Sequence, residues 1–125
     1  RIKRVYEPEA PEDGCRVLVD KLWPRGIRKE ALRYDLWAKE IAPTPGLRTW
    51  FHAAPGERWE EFRRRYTAEL RSSPAVRDFV RRIAGKGTVT LLYASKSAAG
   101  NHALILQEYL AHATAAEEVT NARYS

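Results

Sequence analysis

Acidic and basic side chains follow two apolar segments of this chain, where a pocket could collect them. Asp20 and Arg25 come after the apolar residues 17–19, and His102 comes after the mainly apolar residues 89–92. A carboxylate and an imidazole could act as general base and acid, because histidine titrates close to neutral pH. An arginine could bind a phosphate or carboxylate through two parallel hydrogen bonds. Asp20 and His102 are therefore catalytic candidates, and Arg25 is an anion-binding candidate.

Further side chains near the same segments could complete a ligand site. They are Trp23, Lys39, Tyr93, Ser95, Lys96 and Asn101. Lys96 would add a point charge, and Asn101 lies at an expected helix start, where unpaired amides attract anions. Structural roles compete with these interpretations. Asp20 and Arg25 could pair with each other, and Trp23 could wedge between sheet and helix. Asn101 could simply cap its helix.

Sequence motifs for metal binding or for nucleophilic catalysis do not occur in the sequence. His52, His102 and His112 have no partner at metal-ligand spacing, and one cysteine cannot build a structural zinc site. Cys15 precedes a strand, so it fits a buried or edge thiol better than a nucleophile. Glycine-rich phosphate loops and nucleophile elbows are also missing. We therefore expect neither a metal nor a cofactor.

Composition predicts one soluble domain that attracts anions. The 125 residues include 22 lysines and arginines against 16 acidic residues, a net charge of +6. Nucleic acids and phosphorylated small molecules are the usual partners of such proteins. Part of this charge fits a solvated helix face, because Glu60 and Glu61 each precede an arginine by four residues. The apolar runs are too short to span a membrane, the first residues do not resemble a secretion signal, and the single cysteine fits a reducing cytoplasm.

Four short segments have the apolar pattern of β-strands: residues 2–6, 15–20, 34–39 and 88–93. The second and fourth contain continuous β-branched and aliphatic runs, which suit strands covered on both faces of a parallel sheet. If these two strands are parallel neighbours, the side chains that follow them meet at one edge of the sheet. The order of the strands does not follow from the sequence.

Helix signals lie between the third and fourth strands. Thr44 and Ser73 each precede a proline, so each could cap a helix that begins with that proline. Residues 59–70 and 76–83 have apolar side chains at helical spacing. A short helix is expected at residues 28–32, and a last helix ends near residue 113.

This order of elements predicts a single α/β domain over residues 1–125. Its three layers consist of a small, mostly parallel four-stranded sheet and flanking helices. Residues 114–125 have little apolar content, so we expect them to form a frayed tail.

Several segments spread over nearly the whole chain match one family pattern. They are residues 16–26, 35–43, 50–52, 58–62, 65–66, 91–94 and 101–103. On these segments the sequence resembles the YeaO-like proteins of bacteria and archaea, which form the family named domain of unknown function 488. The resemblance implies no catalytic residues, because that family has no established activity. Lys21 stands where the pattern has arginine, and Ala54 and Ser97 stand where it has acids. The missing acids make the region more basic, which favours an anionic partner.

Three functions fit the sequence. The first is a small cytoplasmic protein that binds a phosphate-bearing or other anionic ligand where the strands end, with or without transforming it. The second is a non-catalytic nucleic-acid-binding module that uses the arginines of the long helices. The third is an interaction or scaffold domain in which an exposed tryptophan, such as Trp37 or Trp50, anchors a partner. The first is favoured, and the sequence leaves open whether the protein is an enzyme and what its oligomeric state is.

Overall fold

Four parallel strands form the sheet that organises the chain. A computed structural model describes residues 1–96 and 101–124, with the side chains of residues 1–96 and 101–115. The strands in this part of the chain are β1 (Ile2–Arg4), β2 (Cys15–Leu18), β3 (Leu36–Trp37) and β4 (Val89–Tyr93). Their order in the sheet is β1-β4-β2-β3, and every neighbouring pair is parallel. The predicted four-stranded sheet is confirmed, and β2 and β4 are its central pair.

Helices occupy most of the chain outside the sheet. They are α1 (Pro45–Ala53), α2 (Pro55–Ser72), α3 (Pro74–Ile83) and α4 (His102–Tyr124), with short 3₁₀ helices at Pro11–Asp13, Lys29–Ala31 and Lys39–Ile41. Ser73 caps α3 as predicted, because its hydroxyl accepts a hydrogen bond from the Val76 backbone amide at 3.3 Å. The predicted cap at Thr44 is wrong. The Thr44 hydroxyl donates instead to the carboxylate of Glu69 on α2, so it ties two helices together.

The two faces of the sheet are covered by different parts of the chain. Val17 and Leu91 belong to a large apolar cluster that includes buried side chains from all four helices. Leu18 and Leu92 belong to a second cluster, together with Leu32 and other residues of the β2–β3 connection. Successive strand residues point to opposite faces, so the helices cover one face and the connection covers the other. This arrangement is the three-layer α/β domain that the sequence predicts.

A buried carboxylate fixes the connection between β1 and β2. Asp13 is 3% exposed and accepts hydrogen bonds from the Ala10 amide and the Lys3 ammonium, both at 3.0 Å, and from the Arg16 guanidinium. These donors, led by the Ala10 amide, lower the pKa of Asp13 to about 2. The Asp13 carbonyl also accepts the Thr90 hydroxyl at 2.7 Å. The cluster therefore joins β1, β2 and β4 at the end of the sheet opposite to Asp20.

The last helix is longer than the sequence suggests. α4 continues to Tyr124, whereas the predicted helix ends near residue 113. Thr114 does not interrupt it, because its hydroxyl bonds back to the Leu110 carbonyl at 2.7 Å. The alanines on either side of Thr114 also favour helix. Ser97, one of the departures from the family pattern, lies outside the described residues. No described helix has the length and apolar character needed to cross a membrane.

Candidate functional site

A cavity of about 410 Å³ opens beyond the carboxyl ends of β2 and β4. Its lining comes from the turn after β2, the segment after β4, the start of α4, and parts of α1 and α2. Side chains and free backbone amides converge at this end of a parallel sheet, so ligands commonly bind there. Because β2 and β4 are neighbours, the two predicted clusters of polar residues meet in one place.

The structure brings most of the predicted site residues to this cavity. Those that line it are Asp20, Trp23, Arg25, Ser95, Lys96, Asn101 and His102. Tyr93 and Lys39 do not line it. Tyr93 is 4% exposed and packs in the core beneath the helices. Lys39 begins the 3₁₀ helix after β3, and its ammonium lies 4.8 Å from the centroid of the Trp37 ring.

Asp20 is held by the two central strands. Its Oδ2 accepts a hydrogen bond from the Ala94 backbone amide at 3.0 Å, which ties the turn after β2 to the segment after β4. Its own carbonyl accepts the Trp37 indole N–H at 2.8 Å. Burial raises the pKa of Asp20, although His102, the Ala94 amide and Arg48 oppose part of this rise. The carboxylate is therefore held in a fixed position. Its burial makes the charged form unfavourable, and a further hydrogen-bond donor would stabilise that form.

His102 is the first residue of α4, and its side chain is 17% exposed. Its Nε2 lies 3.0 Å from the Val19 carbonyl oxygen, which can only accept a hydrogen bond. The hydrogen in this contact must therefore be on Nε2. Burial lowers the pKa of His102, and the Asp20 carboxylate and the Val19 carbonyl oppose only part of this effect. The neutral ring is thus favoured, and its Nδ1 has a lone pair that can accept a hydrogen bond.

Asp20 and His102 are not arranged like the carboxylate and imidazole of a hydrolase triad. In a triad the carboxylate binds one ring nitrogen, and the other nitrogen faces the reacting group. Here the Val19 carbonyl binds Nε2, while Asp20 Oδ1 approaches the same nitrogen at 3.6 Å, beyond a normal hydrogen bond. The arrangement suits a pair of hydrogen-bond acceptors for a ligand better than a proton relay.

Cationic side chains line the same cavity as these acceptors. Lys21, Arg25, Arg48 and Lys96 all line the cavity and are all exposed. Among the described residues, none of the four has a carboxylate oxygen within 4.0 Å of its charged nitrogens. The Tyr6 hydroxyl donates to the Arg25 backbone carbonyl at 3.0 Å, which fixes the turn without engaging the guanidinium. The cavity is therefore electropositive around a carboxylate.

Sequence reasoning missed the contribution of α1. Arg48 and His52 lie four residues apart on α1, and both line the cavity. Burial lowers the pKa of His52, and the nearby Arg48 charge adds to this effect. A helix that begins after Thr44-Pro45 does place residues 48 and 52 on one face, so this pairing could have been read from the sequence. The position of that helix face above the ends of the strands could not be read from the sequence.

Aromatic side chains form the wall below α1 and α2. The rings of Phe51 and Phe62 stack with centroids 4.0 Å apart, and both side chains line the cavity. The Trp23 ring packs edge-on against Trp37 and donates its N–H to the Ile27 carbonyl at 2.7 Å. Trp23 does not wedge between the sheet and a helix, because it packs on the face of the sheet that the β2–β3 connection covers, and it lines the cavity from there.

The described residues offer no metal centre. No group of three or more His, Cys, Asp or Glu side chains in residues 1–96 and 101–115 could hold a metal ion. Cys15 begins β2 at the end of the sheet away from the cavity, and burial raises the pKa of its thiol. A raised thiol pKa disfavours the reactive thiolate.

Comparison with known proteins supports the resemblance noted above. A family model described as the inactive DUF488-N3 subclade matches residues 1–125. An uncharacterized protein of Mycobacterium tuberculosis is 44% identical over 110 residues, which is 88% of this chain and 92% of the relative. The uncharacterized protein YeaO of Escherichia coli is 45% identical over 108 residues, 86% of this chain and 93% of the relative. No solved structure matches the chain. Because the family model covers the whole sequence, this protein belongs to the DUF488 family, in the subclade described as inactive.

Proposed function

We propose that this protein binds a small phosphate-bearing or otherwise anionic ligand in the cavity beyond β2 and β4. One observation carries the proposal: four cationic side chains without a carboxylate partner among the described residues line the same cavity as Asp20 and His102. Unpaired cations in a concave site attract anions strongly, because the low-dielectric walls focus their field. The volume of about 410 Å³ is within the range of small-molecule sites.

Two observations favour binding over catalysis. Asp20 and the Val19 carbonyl approach the same nitrogen of His102, which leaves no carboxylate to orient the ring for proton transfer. The subclade to which the chain belongs is also described as inactive. In this proposal the two catalytic candidates become ligand contacts.

The nucleic-acid alternative is less favoured, because three of the five arginines of α2 are paired with carboxylates. Arg63 pairs with Glu108 on α4, and both Arg64 and Arg65 pair with Glu61. Such pairs lower the positive charge that the helix face can offer to a phosphate backbone.

The scaffold alternative is less favoured, because the tryptophans are partly buried. Trp50 is contacted by the guanidiniums of Arg58 and Arg65, at 4.9 and 4.4 Å from its ring centroid. Trp37 packs against Trp23 and Lys39. These rings already have partners within the chain, so they are poor anchors for another protein.

Thermal unfolding with added inorganic phosphate tests the proposal. Phosphate at one hundred times its dissociation constant should raise the free energy of unfolding by about 2.7 kcal/mol. The Arg25→Ala variant should lose most of this rise while unfolding normally without phosphate, because the Arg25 side chain is exposed. Arg71→Ala is the matched control, since Arg71 is an exposed arginine on α2 that does not line the cavity. Equal responses from both variants, or no response from the wild type, would contradict the proposal.

A further inference from the structure

The cavity has two chemically different zones. Its outer zone contains the exposed cations Lys21, Arg25, Arg48 and Lys96. Its inner zone contains Asp20 and His102, whose side chains are 19% and 17% exposed. Asn101 also lines the inner zone and is 2% exposed. A ligand that fills both zones must therefore differ at its two ends.

The inner zone requires hydrogen-bond donors. An ionised Asp20 can only accept, and its carboxylate is held by the Ala94 amide. The Nε2 hydrogen of His102 is already given to the Val19 carbonyl, so the neutral ring offers the lone pair of Nδ1. A phosphate next to Asp20 would meet a like charge, which is unfavourable. The phosphate must therefore lie among the outer cations, and hydroxyl or amino groups must occupy the inner zone.

Part of the cavity lining is apolar and aromatic. Phe51 and Phe62 form a stacked pair on one side, and Trp23 and Pro24 line the cavity on the side of the β2 turn. Apolar walls favour a planar, weakly hydrated group as one part of the ligand. Inorganic phosphate has no such group, and a simple sugar phosphate would leave these walls uncovered.

We propose that the ligand is a nucleoside monophosphate, with its ribose hydroxyls at Asp20, its phosphate among the outer cations and its base against the aromatic walls. This inference rests on the proposed function of the cavity. A carboxylate that follows a strand of a parallel sheet is a common acceptor for ribose hydroxyls. The four outer cations supply the charge that a phosphate dianion requires.

Isothermal titration of the wild-type protein with a graded ligand series tests the inference. The series is adenosine 5′-monophosphate, its 2′-deoxy analogue, adenosine, ribose 5-phosphate and inorganic phosphate. The nucleotide should bind at least about tenfold more tightly than each of the others. Each of them lacks at least one of the three contacts, and one lost hydrogen bond to a charged group is worth about this factor.

The Asp20→Asn variant should change the affinities for the nucleotide and for inorganic phosphate in opposite directions. The amide oxygen can still accept from Ala94, so the fold should persist, which circular dichroism would verify. The variant should bind the nucleotide roughly tenfold more weakly, since a charge-assisted bond is lost. It should bind inorganic phosphate more tightly, because a like charge is gone. Asp78→Asn is the control, since Asp78 is exposed on α3. Its affinities should match those of the wild type.

The outcomes separate this inference from the proposed function. If phosphate binds and depends on Arg25 but the nucleotide binds no more tightly, the inference fails and the proposed function stands. If no member of the series binds, both fail. If the nucleotide binds tightly but equally to wild type and Asp20→Asn, the assignment of the ribose to Asp20 is overturned.

Discussion

Removing the hydroxyl of Tyr66 tests how much its hydrogen bond stabilises the packing of the cavity wall against α2. The Tyr66 side chain on α2 is 0% exposed, and its hydroxyl donates to the Ile41 carbonyl at 2.7 Å. The next residues, Ala42 and Pro43, line the cavity. Tyr66→Phe keeps the ring but leaves a buried carbonyl without this donor. Such a loss costs about 1–3 kcal/mol of the free energy of unfolding.

The expected change in melting temperature follows from the size of the chain. An unfolding entropy of about 2.1 cal/mol/K per residue gives roughly 0.26 kcal/mol/K for a domain of this length. The Tyr66→Phe variant should therefore melt about 4–11 °C below the wild type in differential scanning calorimetry. Tyr34→Phe is the control, because Tyr34 is 37% exposed, and its melting temperature should change little. Equal melting temperatures for wild type and Tyr66→Phe would refute the argument that this bond holds the cavity wall.

Three further predictions test other features of the fold. Burial raises the pKa of Asp20, so ionisation of this carboxyl lowers the stability of the folded state at pH values above its ordinary pKa of 3.8. The Asp20→Asn variant should therefore have a higher melting temperature than the wild type at neutral pH. Calorimetry should show that this difference becomes smaller as the pH falls towards 3.8. Gly14 has a φ of 62°, and a Cβ added there would overlap a backbone carbonyl, whereas Gly85 has a φ of 84° and open space around it. In urea denaturation, Gly14→Ala should lower the free energy of unfolding by well over about 1 kcal/mol, and Gly85→Ala should lower it by less. Ser73→Ala should cost about 1 kcal/mol in the same assay by removing the cap of α3, and an unchanged midpoint would argue against that cap.

The burial of β2 and β4 was predictable from the sequence, whereas the meeting of their ends was predicted only if the two strands are parallel neighbours. Residues 17–19 are apolar without interruption and residues 89–92 are apolar except for Thr90, so burial on both faces favours the centre of the sheet for both strands. Once they are neighbours, Asp20 and His102 must lie near the same edge. Alternation along β4 also accounts for Tyr93, which shares a face with Leu91 and so packs beneath the helices.

The contribution of α1 was not predictable, because it depends on contacts between distant segments. Arg48 lines the cavity only because Phe51 stacks on Phe62 of α2 and because the Ile41 carbonyl binds a tyrosine of α2. No local pattern specifies how a helix docks above the ends of strands. Lys39 was predicted to join the ligand site, but the 3₁₀ helix after β3 places it away from the cavity, and no local pattern indicated this.

The carboxylate in an electropositive cavity explains how such a site could choose among anions. Asp20 repels any ligand that brings only negative charge, and burial makes its own ionisation costly. A ligand gains from Asp20 only if it also brings a hydrogen-bond donor to the inner zone. Specificity often arises in this way, from a group that penalises the wrong partner rather than from extra attraction to the right one. Replacing Asp20 should therefore make the cavity bind simple anions more tightly and distinguish them less well.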